Sequence, residues 1–236
     1  MLRIENLTKT YGDKIAVDDL TLTIEGGEIC AFIGHNGAGK TTTIKSVCGI
    51  IQFDKGKIFI DGVSIKDDPI NCKKRTAYIP DNPDLYEFMS GIKYLNFIAD
   101  VYGITTNARR RRISKYAEIF ELSDDLAQPI SAYSHGMKQK LALVSALIHQ
   151  PKLMVLDEPF VGLDPKAARV LKTIMREICD IGGAIFFSTH ILEVAEKLCD
   201  RVAIIKSGKL IAFGGMDEIK GDESLESAFF ELEEKE

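Results

Sequence analysis

The sequence lacks any long apolar run. No window reaches the roughly 18 consecutive apolar residues of a membrane span, and the N-terminus MLRIENLTKTYG has no apolar stretch of the signal-peptide type. We therefore predict no membrane-spanning segment and expect any association with a membrane to come through a partner.

Paired cysteines are also missing. The five cysteines are widely spaced, and none belongs to a CxxC pair of the kind found in zinc and redox sites. We therefore expect reduced thiols in a cytosolic protein. The residues concerned are Cys30, Cys48, Cys72, Cys179 and Cys199.

A strong excess of one charge is absent as well. Charged residues make up 28% of the chain, and the net charge is -5 with both signs scattered. This composition argues against disorder and against a dominant polyanion-binding surface, so we expect no nucleic acid partner. With 45% hydrophobic residues, 236 residues suffice for one large core, alone or with a small appended subdomain.

The first third of the chain predicts strands around one helix. Short apolar or alternating runs broken by glycines extend from residue 2 to residue 62 and indicate several strands. The helix begins near Gly39 and stops at Gly49, a residue suited to a helix C-cap. From about residue 83 to residue 128, apolar residues recur at helical spacing and predict a helical insertion. They are Ile92, Leu95, Ala99, Tyr102, Ile113, Ala117 and Phe120.

The second half alternates between helices and strands. A helix is predicted from about Gly136 to His149, followed by the strands LMVLD, AIFFS and RVAIIKSG with a helix between each pair. This alternation indicates an α/β fold with a parallel sheet and crossover helices. On the helix after LMVLD, one face is apolar and the opposite face is charged. The apolar face carries Val170, Ile174, Ile178 and Ile181.

Residues 34–41 read GHNGAGKT and fit the pattern GxxxxGK[ST], directly after the strand EICAFI and before a helix. The glycines let backbone N–H groups turn towards phosphates, Lys40 adds a positive charge, and the Thr41 hydroxyl is a magnesium ligand. The alternative is a glycine-rich turn with a solvent-facing lysine, which the complete match in this context disfavours. The predicted ATP-binding residues are Gly34, His35, Asn36, Gly37, Ala38, Gly39, Lys40, Thr41 and Thr42.

Two acids follow the apolar strand residues 153–156. In open α/β sheets this carboxyl end of a strand is where ligands bind. Asp157 is placed to hold magnesium, and Glu158 is placed to polarise an attacking water. Isolated acids at strand ends are often only loop residues or caps, but the upstream phosphate pattern favours the catalytic interpretation.

The segment SHGMKQKLALVSALIHQPKLMVLDEPFVGLDP resembles the ATP-binding cassette ATPases. Ser134 and Gly136 in YSHGM occupy the position of the family's signature, while Tyr133, His135 and Met137 replace its usual leucine, glycine and glutamine. Ser134 is also a suitable N-cap, and both roles are compatible because a capped helix N-terminus binds anions.

Further site residues are implied by this resemblance. Residues 162–165, GLDP, resemble the D-loop, although Asp164 and Pro165 also form a typical helix start. His190 resembles the switch histidine that contacts the γ-phosphate, and Tyr11 resembles the aromatic that stacks on adenine; the alternatives are a structural histidine and an ordinary strand-end tyrosine. Asp81 in YIPDNP stands where the family usually has a glutamine that reaches magnesium, and a carboxylate is a competent ligand there.

The resemblance implies one cassette domain over residues 1–220. Its expected parts are a phosphate-loop core with a mainly parallel sheet flanked by helices, an N-terminal antiparallel subdomain and a helical subdomain inserted at about residues 83–135. The acidic tail, residues 221–236, lies outside the resemblance. Leu225, Phe229 and Leu232 are spaced for a short docked helix, and the alternative is a partly frayed end.

The implied function is ATP binding and hydrolysis for a membrane transporter, with ATP and Mg²⁺ as cofactors and with Lys40, Glu158 and His190 as catalytic residues. The implied partners are a second cassette, identical or different, and an integral membrane permease that holds the chain at the inner face of the membrane. YSHGM and YIPDNP resemble the exporter branch that moves drugs, antibiotics or lipids. The alternatives are an importer subunit, a soluble cassette ATPase, and a cassette that binds nucleotide but hydrolyses little.

The expected permease contact is the helical segment after Asp81, including Tyr86, Phe88 and the ridge formed by Ile92, Leu95 and Ala99. The alternative for each of these residues is a place in the core of the subdomain. The basic run Arg109 to Arg112 could meet anionic lipid headgroups or an acidic coupling loop of the partner. The alternative is a solvated helix face, which is favoured.

Overall fold

The computed structural model describes residues 1–234 of the chain, which fold into strands and helices. In chain order the elements are β1 (Leu2–Tyr11), β2 (Lys14–Ile24), β3 (Ile29–Ile33), α1 (Lys40–Val47), β4 (Lys55–Ile60), β5 (Val63–Ser64), α2 (Pro69–Arg75), β6 (Thr76–Ile79), α3 (Gly91–Val101), α4 (Thr106–Ile119), a 3₁₀ turn (Ile130–Ala132), α5 (His135–Leu147), β7 (Leu153–Asp157), α6 (Pro165–Asp180), β8 (Ala184–Thr189), α7 (Leu192–Leu198), β9 (Arg201–Lys206), β10 (Lys209–Gly215), α8 (Met216–Lys220) and α9 (Leu225–Glu234).

The N-terminal strands form an antiparallel sheet in the order β2-β1-β4-β5. In β1 the buried residues Leu2 and Ile4 alternate with the exposed Arg3, as expected of a sheet with one face against a core and the other in water. The predicted antiparallel subdomain is confirmed.

The second sheet has the order β10-β9-β3-β8-β7-β6 and is parallel except at its β10 edge. Its central strands β3, β7 and β8 are buried along their whole length. One face packs on α1 and the N-terminal sheet, and the other packs on α5, α6 and the helical segment. Strands covered on both faces read as continuous apolar runs, which explains LMVLD and AIFFS.

The predicted helical insertion is present as α3 and α4. Leu95 and Ala99 of α3 and Ile113 and Ala117 of α4 are buried in the larger core, as their spacing predicts. Tyr102 follows α3 and stacks on His149, with ring centroids 3.9 Å apart and planes 13° apart.

One predicted face needs a correction. Ile181 was expected to complete the apolar face of α6, but its side chain is 86% exposed. The helix ends at Asp180, so Ile181 lies past its last turn and no longer follows the helical spacing. Ile174 is buried as predicted, and Val170 and Ile178 pack against the core from its edge.

The C-terminal acidic segment forms the docked helix α9. Leu225 and Phe229 are buried and Leu232 packs against the same core. The Leu225 amide donates to the Glu196 carboxylate of α7 at 3.0 Å. The frayed alternative therefore does not describe residues 225–234; residues 235 and 236 of the predicted tail lie outside the described part.

The five cysteines are free and buried. Burial raises the thiol pKa of Cys30, Cys48 and Cys199 above the ordinary value, because the thiolate would be poorly solvated. Among residues 1–234, no helix combines the length and apolar character needed to cross a bilayer.

Candidate functional site

The phosphate loop, residues 34–41, connects β3 to α1 at the carboxyl end of the parallel sheet. Gly37 and Gly39 have φ values of 82° and 114°, in the left-handed region that favours glycine. A Cβ on Gly39 would lie 2.5 Å from the Ala16 carbonyl oxygen. The close approach of β2 and the turn itself therefore both require glycine at position 39.

Lys40 is folded into the loop that it follows. Its ammonium donates to the Gly34 carbonyl oxygen at 2.6 Å and to that of His35 at 3.2 Å. Burial lowers the pKa of this amine, while the nearby carboxylates of Glu158 and Asp157 act in the opposite direction. The lysine is thus a buried positive charge at the centre of the loop.

Asp157 is held at both carboxylate oxygens. The Thr41 hydroxyl donates to Oδ2 at 2.9 Å, and the Ser188 hydroxyl donates to Oδ1 at 2.5 Å. The structure therefore brings together Thr41 and Asp157, two of the three predicted metal ligands. Hydroxyl and carboxylate oxygens are the donors that Mg²⁺ prefers, so this pair fits the cation together with phosphate oxygens.

Glu158 follows in a strained backbone conformation, with φ of 49°. Its Oε2 lies 2.9 Å from Nδ1 of His190 and 3.4 Å from the His190 amide. The predicted base and the predicted switch histidine therefore meet at the ends of the neighbouring strands β7 and β8. Strained backbone of this kind often occurs at functional sites.

Two adjoining cavities surround these groups. The inner cavity, of about 400 Å³, lies along the phosphate loop and includes Tyr11, Lys40, Thr41, Asp81 and Asp157 in its wall. The outer cavity, of about 980 Å³, shares Asp81 and Glu158 with it and also includes His190. Tyr11 and Asp81 are thus brought to the wall of the site, while the hydrogen bond between predicted metal ligands joins Thr41 to Asp157.

Ser134 and Gly136 lie elsewhere, at the N-terminus of α5, and line neither cavity. The Ser134 hydroxyl accepts from the Met137 amide at 3.2 Å, which is the predicted N-cap. In the D-loop, Asp164 caps α6 by accepting from the Ala167 amide at 2.8 Å. A hydrogen bond from Lys140 lowers the pKa of Asp164.

Two neighbours of the site were not predicted. The first is Ser188, which contacts Asp157. The second is α9, which contacts His35 of the phosphate loop: Nε2 of His35 lies 2.5 Å from Oε2 of Glu233, and the His35 ring packs edge-to-face on Phe229. A hydroxyl two residues before His190 was a signal for Ser188. No local pattern indicates the α9 contact, whose partners are 198 residues apart.

The two-sheet α/β fold, the phosphate loop and the two acids after a buried parallel strand define a nucleotide-binding ATPase of the cassette class. The ABC transporter family model matches residues 17–161. Uncharacterized ABC transporter ATP-binding protein YhcH of Bacillus subtilis is 37% identical over 99% of this chain and 76% of its own length. Linearmycin resistance ATP-binding protein LnrL of the same organism is 32% identical over 91% of this chain and 69% of its own length.

A solved structure of an ATP-binding subunit of an ABC transporter superposes with a TM-score of 0.95 and 36% identity, over 99% of each chain. The chain belongs to the ABC transporter family, as one of its ATP-binding subunits with ATPase activity.

Proposed function

We propose that this subunit binds ATP with Mg²⁺ and powers export through a separate membrane permease. The main support for ATP binding and hydrolysis is the arrangement around the phosphate loop, where Thr41 is hydrogen-bonded to Asp157 and Glu158 contacts His190. The direction of transport is supported by the YSHGM and YIPDNP segments and by the relationship to LnrL, which is named for antibiotic resistance.

Different residues of the site bind the phosphates, the adenine and the magnesium ion. The amides of residues 34–42 bind the phosphates, and the Lys40 ammonium leaves its loop carbonyls to pair with the β- and γ-phosphates. Tyr11, half exposed at the edge of the inner cavity, stacks on adenine. Thr41, Asp157 and Asp81 would provide oxygens for Mg²⁺, and the bound cation would neutralise charge that develops on the phosphate oxygens.

Glu158 activates the attacking water. His190 contacts one carboxylate oxygen, Oε2, and this leaves Oε1 to accept a proton from water. The opposite side of His190 is then available to the γ-phosphate. Glu158 and His190 directly follow the adjacent strands β7 and β8, and the pairing of these strands brings the two residues close together.

A second cassette, identical or different, completes the site. Ser134 and Gly136 belong to the resemblance but lie outside the phosphate-loop cavities of their own chain. The capped start of α5 is an anion site of the kind that can face a γ-phosphate on another subunit. ATP would then close two cassettes, and hydrolysis would release them.

The permease contact is an exposed aromatic group that follows Asp81 in the chain. Leu95 and Ala99 of the expected ridge do not belong to it, because both are buried in the core. Tyr86 lies 5.7 to 6.1 Å, between ring centroids, from Phe88, Tyr94 and Phe97. Phe88 is 82% exposed, more than a core role allows. This contact would hold the subunit at the inner face of the membrane. Within the basic run, Arg110 and Arg111 are exposed, as the solvated-face alternative expects. Arg109 and Arg112 are half-buried and donate to Asp100 and to the Ile148 carbonyl.

Turnover of Glu158→Gln beside the unchanged chain tests the site. We expect the variant to retain MgATP while its turnover falls about 100-fold or more, the usual contribution of a general base. Glu193→Gln is the matched control, because Glu193 lines the outer cavity but pairs with Lys197. Equal turnover of Glu158→Gln and the unchanged chain would remove Glu158 as the base.

Transport is tested after this chain has been purified from membranes together with the protein encoded next to it. In proteoliposomes with the cassettes outside, an exporter accumulates its substrate in the lumen when ATP is added outside. Release of preloaded substrate would indicate an importer, and recovery without any membrane protein would favour a soluble ATPase.

A further inference from the structure

The Ser188 hydroxyl contacts both acids of the site, Asp157 and Glu158. It donates to Asp157 Oδ1 at 2.5 Å and accepts from the Glu158 amide at 3.0 Å. Both hydrogen bonds are made by a side chain with 0% exposure, so water does not compete for them. One hydroxyl thus contacts the carboxylate of one acid and the backbone of the next.

The strand register places Ser188 there. Asp157 is the last residue of β7 and lies opposite Ser188 of β8. Two residues later the same chain segment provides His190, whose Nδ1 contacts Glu158. The end of β8 therefore holds Asp157 through Ser188, and Glu158 through both Ser188 and His190.

The two contacts have different consequences. Asp157 Oδ2 accepts from Thr41, so anchoring Oδ1 on Ser188 stops the carboxylate from rotating and keeps Oδ2 turned to the phosphate loop. Glu158 has φ of 49°, and the bond to its amide fixes the turn that aims its side chain. A hydroxyl suits both tasks because it donates and accepts at once.

We propose that Ser188 is a positioning residue that sets the orientation of both acids, and through Asp157 the affinity for the divalent cation. This inference rests on the proposed roles of Asp157 and Glu158. Partners behind a metal ligand typically change metal affinity 10- to 100-fold when they are removed.

Cation-dependent binding of a fluorescent ATP analogue, titrated with Mn²⁺, is the first measurement. In Ser188→Ala we expect the Mn²⁺ concentration for half-maximal binding to rise by about tenfold or more. Binding of the analogue in excess chelator should stay within about twofold, because the phosphate-loop amides are unchanged. Turnover at saturating cation should also fall, since Glu158 loses the bond to its amide.

Three variants separate positioning from packing. Ser188→Thr keeps the hydroxyl and should restore cation affinity, whereas Ser188→Cys keeps the size but donates weakly and should resemble Ser188→Ala. The matched control is Ser46→Ala, which removes another fully buried hydroxyl, one that donates to the Thr42 carbonyl at 2.8 Å and contacts neither acid. It should leave the Mn²⁺ dependence unchanged. If Ser188→Ala does not fold, Ser188→Cys carries the same comparison.

Unchanged cation dependence in Ser188→Ala and Ser188→Cys would overturn the inference, as would an equal loss of binding with and without cation. Asp157→Asn distinguishes this failure from that of the proposed site. If Asp157→Asn loses cation dependence while the Ser188 variants do not, only the role of Ser188 is wrong. If the unchanged chain shows no cation dependence, the proposed site and this inference fall together.

Discussion

The Nε2 atom of His35 lies 2.5 Å from the Oε2 atom of Glu233, which joins the phosphate loop to the last described helix. The ring of His35 also packs edge-to-face on Phe229, with centroids 5.4 Å apart. The Lys206 ammonium donates to the Glu233 carbonyl at 2.5 Å. The C-terminal helix is therefore part of the wall of the outer cavity, where Phe229 and Phe230 face the phosphate loop.

Phe229→Ala should destabilise the fold far more than Glu233→Gln. Phe229 is 4% exposed, and removing a buried phenyl ring costs about 3 to 5 kcal/mol. The His35 side chain is 66% exposed, so its pair with Glu233 contributes about 1 kcal/mol or less. Urea unfolding of both variants checks the order, and equal losses would contradict it.

Lys40→Ala should weaken ATP binding by about 10-fold to 100-fold, the equivalent of one charged hydrogen bond of about 1.5 to 3 kcal/mol. The measured loss is a net value, since the ammonium gives up its bonds to the Gly34 and His35 carbonyls when it pairs with the phosphates. Titration with a fluorescent ATP analogue measures it. Lys45→Ala, in the last turn of the same helix, is the control and should bind normally; a similar loss there would point to a general charge effect.

His149 should make the fold less stable as the pH falls. Burial lowers its pKa from 6.5 to about 4, so between these values the unfolded chain takes up a proton that the folded chain refuses. Its contribution is fully present above pH 6.5 and declines below it, by at most about 1.4 kcal/mol per pH unit.

His149→Phe removes this titration and keeps a ring to stack on Tyr102. The free energy of unfolding from urea titrations should therefore depend less steeply on pH in the variant than in the unchanged chain, between about pH 7 and about pH 5. Parallel curves for the two proteins would contradict a neutral, buried His149.

Two substitutions of Glu158 that both remove its carboxylate should differ in folding stability. With φ of 49°, the backbone there suits asparagine and strains a β-branched residue. Glu158→Asn should be more stable than Glu158→Val by about 1 kcal/mol or more in thermal or urea unfolding. Equal stabilities would mean that the turn relaxes in the variants.

Contiguous patterns made the core of the site predictable. The loop before Lys40 and the acids at the end of β7 are short segments whose chemistry depends on adjacent residues. The alternation of strands and helices predicts a parallel sheet, and therefore that both segments lie at the same edge of it. Ser188 could not be assigned, because its contact with Asp157 depends on which residues of two strands lie opposite each other. The approach of Glu233 to His35 depends on the packing of the whole domain.

Helix ends were less predictable than helices. Ile181 continues the apolar spacing of α6, yet the chain leaves the helix one residue earlier and exposes it. The glycines at 182 and 183 permitted that exit, but spacing alone did not locate it. For Asp81 the resemblance predicts a place beside the phosphate loop, and the residue lies in the wall of the inner cavity. Its role as a magnesium ligand stays a prediction.

The burial of all five cysteines gives this subunit a surface without native thiols in the described part of the chain. A single cysteine introduced at exposed Phe88 or Phe230 would therefore be the one site that a maleimide dye reaches in the folded protein. Fluorescent reporters can thus be attached on the aromatic group or on the C-terminal helix without first replacing the natural cysteines. The approach of two cassettes can then be followed by energy transfer between the reporters.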